Sequence, residues 1–228
     1  MKKIIKYVFL ALIIILIILS LQNNNHKKTS TIKKKKEITN ETNTIDKLKK
    51  EYNNNDIVGT INIENTDINE IIMQSTDNDY YLKHDNYGNY DKYGSVFLDY
   101  RCNKDSKKLL VFGHNDYKEE TPFSNLENYY EEDYFKNNQY INIILEDKKM
   151  RYQIFSVYIE TKDFTYMNLK IDDEKYSQDL IKYKNKSFYD TNVEVSKNDD
   201  ILILQTCSNH KDYKKYKDKY LLIIAKKI

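Results

Sequence analysis

From residue 57 onward the chain breaks into eight short apolar runs separated by polar turns: 57–63, 68–73, 95–98, 108–112, 140–145, 151–158, 201–206 and 220–225. This punctuation constrains the fold more than any other feature. The runs are rich in isoleucine, valine, tyrosine and phenylalanine, residues that suit a pleated, half-buried surface. Several alternate in polarity with the two-residue period of a strand. Helical stretches are fewer: a short one at 123–130, one at 173–184, and a turn toward helix at 45–52, where the domain begins. Many strands with helices confined to the N-terminal region and to the long connection before residue 201 predict a mainly β fold, a barrel or a sandwich.

The 228 residues suffice for one sizeable domain with extensions. With 40% hydrophobic and 32% charged residues the chain can build a core, but under a wet, highly charged surface. A formal net charge of +2 is too balanced to argue for nucleic acid. Four glycines leave no room for a glycine-rich phosphate loop, and two cysteines make no disulfide framework. No cluster of histidine, cysteine and carboxylates has zinc spacing, and no oxygen cage for calcium stands out, so neither metal nor cofactor is expected.

The N-terminus opens with MKKIIKYVFLALIIILIILSLQNNN. Lysines lead into an apolar stretch of nearly the length a spanning helix needs, about 20 residues, and terminal lysines can snorkel. A cleaved signal peptide is the rival reading. It has a shorter apolar region and a small-residue cleavage site, and none follows Ser20 here. The expectation is an uncleaved signal-anchor at 1–22, a hydrated lysine- and asparagine-rich stalk at 23–50, and a folded domain at 51–228.

The residues able to carry chemistry are few. Cys207 follows the run ILILQT, and His114 follows LLVFG about ninety residues earlier. A cysteine and a histidine at two strand exits are the parts a Cys–His enzyme needs: a thiolate nucleophile and an imidazole that exchanges protons. Position alone leaves a structural role open for both, since free cysteine is among the most buried residue types. Cys102 reads as structural, His210 as a loop residue pointing away, and Asp99 as a strand-end turn residue. The 22 tyrosines suit either a peptide groove or simple strand packing.

The full strings resemble the sortases, the membrane-anchored cysteine transpeptidases of Gram-positive bacteria. Gly113-His114-Asn115 and Leu204-Gln205-Thr206-Cys207 match the family's two motif strands. Residues 79–102 and 122–157, with the long helix-bearing connection before Ile201, are similar to the class B branch. The resemblance spans residue 57 to the C-terminus. It implies a closed barrel of about eight strands and a thioacyl-enzyme formed on Cys207 from a threonine-containing sorting signal. It further implies proton transfer by His114 and an amine acceptor from the cell wall or another protein. Asn115, Gln205 and Thr206, beside the pair, are implied as substrate contacts. The implied setting is a single-pass membrane protein with its catalytic domain outside.

One departure stands out. The family has an arginine opening the strand after the cysteine, and this chain has Lys219 there, in KDKYLLIIA. A lysine supplies charge and single hydrogen bonds but not the planar fork of a guanidinium. Lys219 is therefore expected either to replace the arginine beside the oxyanion or to be an ordinary solvated lysine, with Lys217 the next candidate. In the second case the chain is a weakened sortase-fold protein that binds sorting signals or wall components. A wall amide hydrolase is a third possibility.

Overall fold

The computed structural model describes residues 44–116 and 118–228. The expected anchor at 1–22 and most of the expected stalk lie outside them. Among the described residues no helix is long and apolar enough to cross a membrane.

Eight strands close into a barrel in the order β1-β2-β3-β4-β7-β8-β6-β5. They are β1 (Ile57–Ile63), β2 (Asn69–Met73), β3 (Val96–Leu98), β4 (Lys108–Phe112), β5 (Tyr140–Leu145), β6 (Lys148–Glu160), β7 (Ile201–Cys207) and β8 (Tyr220–Lys227). Closure settles the choice between barrel and sandwich, and it leaves no sheet edge unpaired. Two neighbouring pairs are parallel, β2 with β3 and β4 with β7; the rest are antiparallel. The β4–β7 pairing matters most, because it brings residues about ninety apart in sequence side by side.

Both faces of the motif strands are covered, which explains their unbroken apolar runs. Leu109 and Val111 of β4, Leu202 and Leu204 of β7, and Leu221 and Ile223 of β8 join a core built from all eight strands, the barrel interior. Leu110 and Phe112, Ile201 and Ile203, and Leu222 and Ile224 face outward into a second core, which also takes in residues of the helices α1 (Thr44–Tyr52) and α3 (Asp173–Lys186). Ile45 and Leu48 of α1 are buried there, so the fold takes in residues assigned from sequence to the end of the stalk. The third helix, α2 (Glu132–Asn137), follows a 3-10 segment, Ser124–Tyr130, where the sequence predicts a helix at 123–130.

Helix α3 is capped by Asp172, whose side chain accepts from the Lys175 N–H. It buries Tyr176, Leu180 and Tyr183. Two ion pairs, Lys182 with Asp163 and Lys186 with Glu160, tie it to the start of the β6–β7 connection. Burial alone would raise the Glu160 pKa, but the Lys186 contact and the backbone N–H groups of Asp163 and Lys162 outweigh it and hold the carboxyl low. The connection is thus pinned over the outer face of β4, β7 and β8.

Candidate active site

Pairing along the β4–β7 ladder runs from Lys108 opposite Ile201 to Phe112 opposite Gln205. The Gly113 N–H continues it, donating to the Gln205 carbonyl at 3.2 Å. Carried past the end of the ladder, the same register brings His114 level with Cys207. Alternation puts both on the same face. Lys108, Leu110 and Phe112 face outward on β4, as do Ile201, Ile203 and Gln205 on β7, so His114 and Cys207 continue those two outward rows.

Cys207 is the last residue of β7 rather than the first beyond it, and it is exposed. Its thiol still loses hydration to the surrounding protein, which pushes its pKa above the ordinary value; the Lys219 ammonium pulls it back. Cys102 differs: it is buried, its Sγ lies 3.5 Å from the Lys108 carbonyl, and burial drives its pKa to about 11. The His114 Nε2 lies 2.9 Å from the Leu82 carbonyl. A carbonyl only accepts, so Nε2 carries the proton and the neutral ring keeps its lone pair on Nδ1.

Lys219 precedes β8, and its carbonyl accepts from the Ser208 N–H at 2.9 Å. Its half-buried side chain reaches the Tyr216 carbonyl at 3.4 Å, while Lys217 stands exposed in the loop. Neither arginine substitutes for it. Arg101 pairs with Asp99 and Arg151 with Glu64.

The other residues singled out in the sequence fall into different roles. Thr206 points inward and is only 2% exposed; its hydroxyl donates to the Gly113 carbonyl at 2.7 Å, tying the two motif strands together. Gln205 faces outward, and its Oε1 accepts from the Tyr166 hydroxyl at 2.7 Å, leaving its amide NH₂ group turned the other way. Asn115 donates both amide hydrogens, to the Cys207 carbonyl at 2.8 Å and to Glu127 Oε1 at 2.9 Å. His210 lies with its ring edge-on to Tyr130, and its Nδ1 accepts from the Asp212 N–H. Asp99 is fully buried and builds the turn after β3, accepting from the backbone and guanidinium of Arg101.

Two groups escaped the sequence reading. One is Glu127, in the 3-10 segment. The other is an aromatic wall on the thiol's face: Tyr220, paired with Cys207 across β7–β8, packs edge-on against Phe164, which packs edge-on against Tyr166. Phe164 and Tyr166 arrive on a 3-10 turn, Phe164–Met167, with no helical or strand periodicity to announce it. Six of the remaining tyrosines, Tyr81, Tyr129, Tyr152, Tyr158, Tyr176 and Tyr183, are buried in the two cores. Among the described residues no group of three or more histidines, cysteines or carboxylates is placed to hold a metal ion.

Comparison with known proteins shows the family and the fold. The sortase domain model matches residues 61–227. Sortase B of Listeria monocytogenes is 34% identical over 182 residues, covering 78% of this chain and 72% of that protein. Sortase B of Clostridium perfringens has a solved structure that matches at a TM-score of 0.71 and 30% identity, over 80% of this chain and 98% of that one. The Staphylococcus aureus sortase B–substrate complex matches at 0.72 and 27% identity, over 91% and 94%.

Proposed function

The chain belongs to the sortase family, in its class B branch, and from that premise we propose that it is a membrane-anchored transpeptidase using Cys207 as nucleophile and His114 as proton carrier. The observation that carries this reading is the side-by-side exit of Cys207 and His114 from parallel strands, with the Lys219 charge acting on the thiol. The Staphylococcus aureus relative is known in complex with a substrate, which supports a substrate site in this chain, and the wall of Tyr220, Phe164 and Tyr166 on the thiol's face offers an apolar surface for it.

In the proposed reaction His114 Nδ1 takes the proton of the Cys207 thiol, and the resulting thiolate attacks the carbonyl carbon of the threonine in a sorting signal. The tetrahedral oxyanion forms near the Lys219 ammonium. The amide C–N bond then breaks, and the imidazolium gives a proton from Nδ1 to the leaving nitrogen. An amine from a cell-wall precursor or a protein attacks the thioester carbon. Nδ1 takes its proton, the C–S bond breaks, and the new amide leaves Cys207 free. The lysine-led apolar stretch at the N-terminus supports a single-pass anchor, and membership of the sortases, which work outside the membrane, supports a catalytic domain on that side.

The test uses the full-length protein and fluorogenic peptides bearing Asn-Pro-x-Thr or Ser/Pro-Pro-x-Thr. Cleavage that disappears in Cys207→Ala, with product joined to an added amine, is the expected result. Binding without cleavage, unchanged by Cys207→Ala, would establish the non-catalytic binder suggested by the missing arginine. Release into water despite abundant amine would establish a hydrolase.

A further inference from the structure

Glu127 lies on neither motif strand, yet its carboxylate is bonded to the turns that follow both. Oε1 accepts from Asn115 Nδ2 at 2.9 Å and from the Asn209 backbone N–H at 2.6 Å. Asn115 is the residue after His114; Asn209 lies two beyond Cys207. The second hydrogen of the same Asn115 amide goes to the Cys207 carbonyl at 2.8 Å. One carboxylate oxygen therefore closes a ring through Asn115, the Cys207 carbonyl and the Ser208–Asn209 turn. Bonds of this kind, with an ionised acceptor, are about twice as strong as neutral ones.

The segment that carries Glu127 is itself anchored to the histidine strand. The Phe123 N–H and the Thr121 hydroxyl both donate to the His114 carbonyl, at 3.0 and 2.9 Å. Tyr130, at the far end of the segment, shares a 2.8 Å hydrogen bond with the Ser208 hydroxyl. The segment is thus tied to residue 114 on one side and to residues 207–209 on the other. The β4–β7 ladder stops before these exits, and the β8 pairing reaches Cys207 but not His114, so the backbone hydrogen bonds between the two motif strands do not hold the exits in register. Glu127 supplies the cross-tie at the point where the ladder ends.

We propose that Glu127 is a positioning residue: its carboxylate, acting through Asn115 and the Asn209 N–H, fixes the Cys207 backbone relative to His114. The inference rests on the reading of Cys207 and His114 as the reacting pair. Because misplacing a reacting group by about 1 Å costs on the order of 10²-fold in rate, loosening this tie should act on turnover rather than on peptide affinity.

The experiment compares Glu127→Ala and Glu127→Gln with the parent in the full-length protein. Glutamine keeps an oxygen acceptor where Oε1 sits; alanine does not. Peptide cleavage is expected to lose about 10-fold or more in kcat with Glu127→Ala, at a KM within about 3-fold of the parent. Glu127→Gln is expected to recover most of the loss. Alkylation of Cys207 by iodoacetamide, located by peptide mass mapping, provides a readout that needs no turnover: several-fold slower in Glu127→Ala and near parental in Glu127→Gln. Parental kcat and alkylation in Glu127→Ala would overturn the proposal. So would equal losses in both variants, or a loss matched by alkylation of the buried Cys102, which reports unfolding. If the parent cleaves nothing, or Cys207→Ala cleaves as well as the parent, the transpeptidase reading fails, and the alkylation rates still decide the cross-tie.

Discussion

At the Cys207 thiol, burial and the Lys219 ammonium act in opposite directions, and burial is the larger. The resting site therefore holds a thiol more protonated at neutral pH than a free cysteine. Removing the lysine takes away a charge that opposes this. In Lys219→Ala the pH profile of Cys207 alkylation is expected to move to higher pH, and peptide turnover to fall by about 10²–10³-fold, the usual loss for one oxyanion donor. Lys219→Arg is expected to keep or raise turnover, because a guanidinium adds a second aligned donor. An unmoved alkylation profile together with parental turnover in Lys219→Ala would take this side chain out of the site. The sequence exposed the lysine as a departure from the family pattern. It did not show that both arginines are committed to Asp99 and Glu64, which the ion pairs establish.

At the scale of elements, the junction of β4 with the 3-10 segment depends on Gly113. A Cβ there would lie 2.6 Å from Cδ2 and 2.8 Å from Cγ of the buried Phe123 ring. The ring cannot swing away without leaving the core it fills. Gly113→Ala is expected to destabilise the fold by about 1–3 kcal/mol, the usual range for overpacking. Turnover should fall further than the folded fraction, because the displaced backbone is that of the residue before His114. Denaturant unfolding and cleavage assays on the same samples separate the two effects; a fully stable, fully active variant would show that the junction tolerates the methyl group. The eight strands were legible in the sequence, β1, β4 and β5 with their end residues, because buried runs bounded by polar turns leave a strong signal. The Phe164–Met167 turn was not, since its placement comes from α3 and its ion pairs across the connection.

Over the whole molecule, the outer core carries a charge that the sequence did not flag. Lys108 on β4 is only 3% exposed, and its ammonium donates to the Tyr166 carbonyl at 3.0 Å. Burial lowers its pKa to about 8. Its unfolded value is about 10.4, so between the two the unfolded chain holds the additional proton and this group favours folding more as pH rises. Lys108→Met is therefore expected to gain most over the parent below pH 8, and that advantage should shrink by up to about 3 kcal/mol toward pH 10. Cys102 and the buried tyrosines, with raised values, run the opposite way, losing their contribution as pH rises past their unfolded pKa. Comparing parent and variant in urea across that range isolates the lysine; a constant difference would mean that its charge is hydrated.

Composition and periodicity alone determined that this chain is mainly β, with helices confined to its N-terminal region and connections. The motif strings pointed to Cys207, His114 and the lysine in the arginine's place. These are local properties, written in the order of residues along single strands. The closed barrel that the family resemblance implied is the one observed; only the tertiary structure decided that β4 and β7 run parallel as neighbours. It alone turned Thr206 inward as a tie, Gln205 outward onto Tyr166, and Glu127 toward both strand exits. Each of those outcomes depends on a partner between 12 and 93 residues away along the chain. Such pairings are chosen by the packing of the whole barrel, and no window of sequence contains them.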